Sequence, residues 1–412
     1  MKIRSITCFY NPQTSISSQI MAQFSTFIRV ARQSFQDAGF EVQTTRLTTT
    51  PFPTFLPIQS PGTFFKEVSV LEKQAEEHGF SYLSLGPALP QSVSSYELIP
   101  DILQATHNVF LGAVIADAQQ GISLPAVHSC GEIILRNAHI STDGFANLRF
   151  SALANVSAHS PFFPASYHEG NSPAFALAME CADVAVLAFR NAKSIAEGQC
   201  CLLENLETAG RTLTAIARRL SRRFRVHFCG IDFSLAPFPD DWCSIGAAFE
   251  QMGISQVGLS GSLAVAAILA DTLERGRWLK TGFNGLFLPV LEDSILAERS
   301  AQQVLTLKDL LLYSAVCGAG LDTVPLPSDV TSGQLAAVLL DVAALAVRLN
   351  KPLTARLMPI PGKHRGELTD FDFAYFANGG IMDVPANPLY GLLTQNETWS
   401  LRPRLRATEK KK

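Results

Sequence analysis

Short runs of apolar and β-branched residues occur along the whole chain, separated by segments whose apolar residues have helical spacing. Runs of this kind are typical of β-strands. They predict eleven strands. These are Ile3–Phe9, Glu41–Leu47, Ser81–Leu85, Val109–Ile115, Leu148–Ala154, Val184–Phe189, Val226–Ile231, Gly285–Val290, Thr323–Leu326, Thr354–Met358 and Asp372–Phe376.

Helical periodicity fills most of the gaps between these runs. Ser15–Phe40 and Phe64–His78 each carry an apolar side and stop at a glycine, which is a frequent C-terminal helix signal. Lys193–Phe224 and Ser262–Arg275 predict two further helices. Alternation of strand and helix indicates an α/β fold with largely parallel pairing. Eleven strands are many for one open sheet, so the pattern is also compatible with a closed or very large barrel.

Composition and charge narrow the class of protein. The chain has 412 residues, 47% of them hydrophobic and 17% charged, which fits strands that are covered on several sides. A net charge of −3 gives no electrostatic argument for binding nucleic acid or an anionic membrane. The basic residues Lys410–Lys412 predict a solvated tail. Length alone suggests two or three domains, but the best internal breaks, Thr48–Pro61 and Val156–Pro173, are rich in Phe and predict packed loops.

The cysteines and the N-terminus indicate a cytoplasmic setting. Eight cysteines show no C-x-x-C spacing, and MKIRSITCFYNP lacks the apolar core of a signal peptide. We therefore expect free thiols in a reducing compartment. The most apolar helix candidate, Gln334–Leu349, contains Asp341 and Arg348 and is predicted to be a core helix rather than a membrane span.

Polar side chains at strand ends are the first candidates for chemistry. In Arg225–Pro239 an apolar run ends in Asp232 and breaks into a Pro-bracketed loop. Asp232 is interpreted as a general base, a metal ligand or a cap of the turn. Similar positions are held by Asn155, Glu292–Asp293 and Asp322. Cys317, upstream of Asp322, fits a buried thiol better than a nucleophile, because no base stands nearby in the sequence.

The loop His159–Pro173 offers a second group of candidates. His168 and Glu169 suit acid–base catalysis or a divalent metal. The segment HEGNS is not a zinc-protease motif, because position 172 is Ser where that motif has His. Its prolines leave a rigid packing segment as the alternative.

Three glycine-containing segments suggest anion binding. Ser260 and Gly261 precede an apolar helix, whose free amides favour a phosphate or carboxylate. Asn284 and Gly285 lie in a turn before a predicted strand. Lys363 lies between glycines in PIPGKHRGE and would suit an anion clamp, with a solvated surface loop as the alternative.

Several ordered sequence blocks resemble one family. The blocks are GIDFSLAPFP (230–239), SGSLAVAAIL (260–269), FNGLFLPVLED (283–293), VCGAGLDTVPLP (316–327) and TARLMPIPGKHRGE (354–367). Together with IRSIT and NVSAHSPFFPASYHEG they are similar to the bacterial and archaeal family named domain of unknown function 711, over nearly the whole chain.

That resemblance implies the fold of pyruvate formate-lyase and ribonucleotide reductases, an α/β barrel of two parallel half-sheets with helices outside. It also implies a single domain over residues 1–400, followed by a basic tail at 401–412. The C-terminus lacks a glycyl-radical motif, so we do not expect radical chemistry. Some family members are encoded beside a small ACT-type ligand-binding protein, which the resemblance suggests as a regulatory partner.

The sequence therefore predicts a non-radical enzyme that acts on a small anionic metabolite by acid–base or metal-assisted chemistry. Asp232, His168, Glu169 and Asp322 are the expected catalytic groups. The predicted ligand-binding residues are Lys363, Asn155, Ser260, Gly261, Asn284 and Gly285. A non-catalytic small-molecule sensor is the alternative. A divalent metal is the one cofactor the candidates suggest, and base rates favour a homodimer.

Overall fold

Strands and helices alternate through the computed structural model, which describes residues 1–13 and 17–404. The strands are β1 Lys2–Tyr10, β2 Val42–Thr49, β3 Tyr82–Ala88, β4 Val109–Asp117, β5 Gly121–Ser123, β6 Phe150–Ala154, β7 Ala174–Glu180, β8 His227–Ala236, β9 Gly320–Leu326, β10 Leu353–Pro359 and β11 Thr398–Trp399. The helices are α1 Ser17–Gln36, α2 Pro61–Glu77, α3 Ser94–Glu97, α4 Ile99–Ala105, α5 Leu124–Ala138, α6 Ala182–Arg190, α7 Ile195–Phe224, α8 Ile245–Gln251, α9 Ser262–Arg275, α10 Ser294–Ala301, α11 Leu307–Ser314 and α12 Ser332–Leu349. Most of the predicted tail, residues 405–412, lies outside the described residues.

One large sheet forms the centre of the molecule, with strand order β8-β7-β1-β2-β3-β4-β6-β10-β9. Its middle strands β1, β2, β3, β4 and β6 are parallel to one another. On one side β7 is antiparallel to β1 and β8 is parallel to β7. On the other side β10 is antiparallel to β6 and β9 is parallel to β10. The mixed α/β architecture with mainly parallel neighbours agrees with the sequence pattern.

The two end strands, β8 and β9, are both contacted by residues 285–290. The amide of Phe287 donates to the carbonyl of Ser234 in β8 at 3.2 Å. Pro289 forms a parallel bridge with Asp322 in β9. This segment was predicted as a strand, and it makes strand-like contacts without forming a regular strand.

Alternate residues of each strand point to opposite faces of the sheet. Helices cover the face to which the apolar residues of β1 point. In β1 the side chains of Ile6 and Cys8 join a core that includes Phe24 and Phe27 of α1. The apolar helix α12 packs against α5 in the same layer, and residues such as Leu335 and Leu339 are fully buried. Although α12 is long and apolar enough to span a membrane, half of it is buried inside the protein, as predicted for a core helix.

The opposite face of the sheet is occupied by residues 156–173, which we call the inner loop. Thr7 of β1 donates its hydroxyl to the carbonyl of Pro161 at 3.4 Å. The hydroxyls of Thr48 in β2 and Ser166 lie 2.8 Å apart, and Ser84 of β3 donates to the carbonyl of Ser166 at 2.8 Å. Small polar residues in three neighbouring strands thus hold the inner loop against the sheet, which agrees with the prediction that it is packed.

Two predicted strands are wrong. Val184–Phe189 lies in helix α6, where Ala182, Ala185, Val186 and Phe189 form one buried helical face. Val184 and Val186 suggested a strand, but the three- and four-residue spacing of the buried side chains fits a helix. Asp372–Phe376 forms no strand and lies in an irregular segment.

One central strand was not predicted. The sequence of β7, AFALAME, is rich in Ala, Leu and Met, which intrinsically favour helix. Burial between β1 and β8 outweighs that preference, because tertiary packing decides the conformation of such apolar segments.

Candidate functional site

A cavity of about 80 Å³ opens beside the inner loop, and we call it the arginine cavity. Its wall includes the side chains of Arg4 from β1, Arg46 from β2 and Arg356 from β10. Glu292 supplies the carboxylate of the wall. Charged side chains are rarely buried without a partner, so the charge partners of these arginines indicate the role of the cavity.

Backbone irregularities direct two of these arginines into the cavity. The pairing of β1 with β7 shifts register between Ile3 and Ser5, which flank Arg4. The pairing of β10 with β9 shifts between Ala355 and Leu357, which flank Arg356. Such bulges re-aim a side chain relative to the regular alternation of a strand.

Arg356 connects two buried carboxylates. Its Nε donates to Oδ1 of Asp322 at 2.6 Å, and its Nη2 donates to Oε1 of Glu292 at 2.7 Å. The other oxygen of Glu292 is bound by Arg4. Asp322, Arg356, Glu292 and Arg4 therefore form a continuous chain of charge-assisted hydrogen bonds.

This chain of ion pairs sets the protonation of its members. Burial opposes ionisation of Glu292, but Arg4 and Arg356 outweigh it and lower the pKa of the carboxyl. Burial raises the pKa of Asp322 in spite of Arg356, and the charge of Glu292 adds to the rise. Burial likewise opposes the charge of Arg356, yet Asp322 and Glu292 raise its pKa. Glu292 is thus a firmly ionised carboxylate at the cavity wall.

Arg46 has no carboxylate partner among the residues that the structure describes. Its Nε donates to Oγ1 of Thr44 at 3.1 Å. Burial lowers the pKa of Arg46 to about 9, and the neighbouring charge of Arg4 lowers it further. The group remains protonated at neutral pH all the same. An arginine in this position is suited to bind an anion in the cavity.

Aromatic rings form much of the remaining wall. The guanidinium of Arg46 lies 5.1 Å from the ring centroid of Phe163 and 5.8 Å from that of Tyr82. The guanidinium of Arg356 lies 5.4 Å from the ring of Phe162. Phe110 completes this side, 5.4 Å from Phe163. Ring faces attract cations but accept no strong hydrogen bond, so they leave the guanidinium donors free for a ligand.

Of the residues singled out in the sequence, Asp322 and Glu292 belong to this network. Asp232, Asn284 and Gly285 lie together in a different place. Asp232 does not end its strand as predicted but lies inside β8, beside the turn that contains Asn284 and Gly285. The carboxylate of Asp232 accepts the amides of Phe283 at 2.9 Å and Asn284 at 3.1 Å, and it is also bound by the hydroxyl of Ser234. Burial raises the pKa of Asp232. The geometry is that of a turn cap, one of the roles predicted for Asp232.

Asn284 and Gly285 are used inside the protein. The side chain of Asn284 accepts from Nε1 of Trp278 at 2.8 Å and donates to the carbonyl of Thr281 at 2.5 Å. A Cβ at Gly285 would lie 2.3 Å from Cα of Gly318, so the two backbone segments touch. Close packing of the backbone accounts for a glycine at position 285.

His168 and Glu169 lie on the inner loop but differ in environment. His168 is buried, and its Nδ1 lies 3.0 Å from Nε2 of His159. Its Nε2 has no hydrogen-bond partner in the described part of the chain. Burial lowers the pKa of His168 to about 4, helped by His159, so the imidazole is neutral at pH 7. Glu169 is exposed.

The remaining predicted residues lie on other elements. Glu169 and Asn155 line a shared crevice at the carboxyl ends of β3, β4 and β6. Lys363 pairs with Asp370 at 3.1 Å. Ser260 and Gly261 are exposed at the start of α9. Within residues 1–13 and 17–404, no group of three or more His, Cys, Asp or Glu side chains is placed to hold a metal ion.

Sequence reasoning missed Arg4, Arg46 and Arg356. A signal was present, since each is a lone arginine inside an apolar or small-residue strand: KIRSITCFY, VQTTRLTT and LTARLMP. What could not be seen is that three strands distant in sequence direct them to one cavity.

Comparison with known proteins gives the family. The model of the family described as "Uncharacterised ACR (DUF711)" matches residues 1–377. A UPF0210 protein of Pyrobaculum arsenaticum is 29% identical over 87% of this chain and 82% of its own length. A UPF0210 protein of Acetivibrio thermocellus is 26% identical over 90% of this chain and 85% of its own length. The resemblance found in the sequence blocks is confirmed, and the chain belongs to the DUF711 family.

Proposed function

We propose that this protein acts on a small anionic metabolite, which binds in the arginine cavity and undergoes non-radical acid–base chemistry there. The observation that carries the proposal is Arg46, a partly buried guanidinium that faces the cavity without a carboxylate partner among the described residues. Removing a charge from water without a counter-charge costs free energy. A bound anion would supply the missing charge.

Proton transfer in the cavity would involve the groups on its wall. Glu292 carries a carboxylate there, and Tyr82 and Tyr375 carry phenol hydroxyls. Asp322 does not line the cavity and would act through Arg356, as a residue that positions Glu292. Asp232, His168 and Glu169 stay predictions as catalytic groups. Lyase, isomerase and hydrolase reactions all use acid–base pairs of this kind.

A small-molecule sensor is the second candidate, and one observation favours it. Both carboxylate oxygens of Glu292 accept hydrogen bonds from arginines. These arginines lower the pKa of Glu292, which makes it a weaker base. A binding protein would need only Arg46 and the aromatic wall. An ACT-type partner and a homodimer fit this candidate as regulatory arrangements.

We also propose that the sheet closes into a barrel of the pyruvate formate-lyase type, as one domain over residues 1–400. Residues 285–290 support this reading, because they contact both end strands. The antiparallel relation between the middle strands and the flanking strands fits two parallel half-sheets. The cysteines in the described residues are free thiols, which supports a cytoplasmic location.

Ligand-observed NMR with butyrate, succinate, pyruvate and inorganic phosphate tests the binding step. We expect at least one probe to bind the wild-type protein, and Arg46→Met to weaken that binding by about tenfold or more. Arg136→Met is the matched control, because Arg136 pairs with Asp101 on the surface. The proposal is wrong if no probe binds, or if a folded Arg46→Met variant binds as well as wild type.

Incubation with pyruvate in deuterated water then separates enzyme from sensor. Acid–base catalysis would exchange the methyl protons of pyruvate faster with protein than without it. Tyr82→Phe, which keeps the ring of the cavity wall, is expected to slow that exchange. Arg46-dependent binding without accelerated exchange would support the sensor.

A further inference from the structure

The arginine cavity restricts more than the sign of the charge on its ligand. Among the described residues, its arginines outnumber the carboxylates bound to them, and one guanidinium has no carboxylate partner. Much of its lining is aromatic, and its volume is small. Each of these properties restricts the chemistry of the occupant, if the cavity binds an anion as in the proposed function.

The charges around the cavity leave one positive charge unmatched. Arg4, Arg46 and Arg356 line it, whereas the carboxylates bound to these arginines are Glu292 and Asp322. Glu180 is also close, but it does not line the cavity. The carboxylate of Glu180 accepts a hydrogen bond from Nε2 of Gln43 at 2.7 Å. Burial raises the pKa of Glu180, whereas the charges of Arg4 and Lys2 lower it. Within the set of arginines and carboxylates that are joined by hydrogen bonds at the wall, one anionic charge in the cavity would match Arg46.

The unmatched charge is located on Arg46. Arg4 and Arg356 both donate guanidinium hydrogen bonds to Glu292, whereas among the described residues Arg46 donates only from Nε, to Thr44. No nitrogen of Arg46 is among the buried atoms of the described residues that lack a partner. Its remaining donors are therefore accessible from the cavity. A guanidinium with two free terminal nitrogens matches the two oxygens of a carboxylate.

Besides the charged side chains, much of the cavity wall is aromatic. Phe110, Phe162, Phe163 and Phe373 line it. The uncharged polar groups of the wall are Gln43, Thr44 and the two tyrosines. A second negative charge on a ligand would meet arginines that are already paired with Glu292, and placement against the aromatic rings or near Glu292 is unfavourable.

The size of the cavity restricts the length of the ligand. Its volume is about 80 Å³, whereas an engineered protein cavity that binds benzene measures about 150 Å³. A carboxylate with a short chain fills such a space, and a large ring system would have to protrude from it.

We infer that the arginine cavity is specific for a short-chain monocarboxylate, whose carboxylate binds Arg46 and whose apolar body packs against Phe110, Phe162 and Phe163. Dicarboxylates and phosphate are excluded by the single free cation and by the aromatic wall.

Isothermal titration of the full chain with butyrate, succinate and inorganic phosphate tests this specificity. Butyrate and succinate share a carbon chain length and differ by a carboxylate in place of the terminal methyl group. We expect butyrate to bind the wild-type protein about tenfold or more tightly than succinate, and more tightly than phosphate. Arg46→Met should abolish butyrate binding, whereas Arg46→Lys should keep part of it.

The comparison of probes on the wild-type protein needs no variant, so it decides the inference even if Arg46→Met does not fold. Succinate or phosphate binding as tightly as butyrate, in an Arg46-dependent manner, would overturn the specificity and leave the proposed function standing. Absence of binding by all three probes would overturn the specificity, and it would overturn the proposed function as well if pyruvate also fails to bind. Binding as tight in folded Arg46→Met and Arg46→Lys variants as in the wild-type protein would overturn both. Phe163→Leu adds an independent readout, since loss of ring contact should weaken butyrate more than phosphate.

Discussion

At the scale of single residues, the protein shows two ways of burying an ionisable group. Arg356 and Glu292 are buried as partners in a continuous network. Arg46 and His168 instead lack partners among the described residues. The guanidinium of Arg46 has no carboxylate partner, and Nε2 of His168 has no hydrogen-bond partner. Groups of the second kind lower the stability of the folded protein, so substituting or protonating them should change the free energy of unfolding.

Arg46→Met is expected to raise the free energy of unfolding by about 1 kcal/mol, because it removes a desolvated charge with a single hydrogen bond. Arg149→Met is the contrasting variant. Arg149 donates to the carbonyls of Leu103, Thr106 and Val109, which would lose their partner. We expect a loss of about 2 kcal/mol there. Urea denaturation measures both, and a strongly destabilised Arg46→Met would show that Arg46 has a structural role instead.

Stability should also depend on pH through His168. Burial lowers its pKa from 6.5 to about 4 in the folded protein. Between these values the unfolded chain binds a proton that the folded chain does not, so the free energy of unfolding falls as pH decreases from 6.5 to 4. The full effect is about 3 kcal/mol.

His159 faces His168 and has a pKa lowered in the same direction, with Glu169 and His227 as its charged or titratable neighbours. His168→Gln should therefore flatten the pH dependence, while His107→Gln, at an exposed position, should not change it. Urea denaturation at a series of pH values measures the slope. An unchanged slope in His168→Gln would contradict the prediction.

At the scale of elements, close contact between two helices depends on one glycine. Gly131 in α5 faces the start of α12, and a Cβ there would lie 2.5 Å from the carbonyl oxygen of Ser332. Backbone atoms cannot move away as easily as a flexible side chain. The apolar face of α12 is therefore buried by an approach that only glycine permits.

Gly131→Ala is expected to destabilise the protein by about 1–3 kcal/mol, although Ala is the better helix former. Gly62→Ala is the matched control in α2, because a Cβ at Gly62 meets no atom within 4 Å. Thermal denaturation should show a lower melting temperature for the first variant and an equal or higher one for the second. Equal melting temperatures for both would mean that α12 can shift away from α5.

At the scale of the whole molecule, the question is how the two ends of the sheet are related. The strands β8 and β9 end the hydrogen-bonded order, and residues 285–290 contact both. If the sheet closes as we propose, this segment belongs to the most stable part of the protein. An open sheet would leave the same segment as a surface loop.

Hydrogen exchange separates these cases. The amide of Phe287 donates to the carbonyl of Ser234, so we expect it to exchange as slowly as the amides of β1. The exposed segment around Gly391 serves as the fast-exchanging control. Exchange of Phe287 at the rate of the Gly391 segment would contradict closure.

Much of the fold could be predicted because strand and helix periodicities are local properties. Nine of the predicted strands correspond to strands or to strand-like residues 285–290, and β1 and β4 were found nearly in full, whereas only the first half of β8 was predicted. Val184–Phe189 was wrong because a short apolar run fits either period. The strand β7 was missed because its Ala-rich sequence is extended only by its position between two other strands.

The sequence by itself determined the α/β class, the packed inner loop and the family, because periodicity and ordered motifs are written in local sequence. The tertiary structure alone decided where charge and cavity meet. Arg4, Arg46 and Arg356 are far apart in the chain, and the bulges that flank Arg4 and Arg356 depend on pairing with distant strands. Side-chain direction at a bulge follows from that pairing, so no local pattern could have placed three arginines around one cavity.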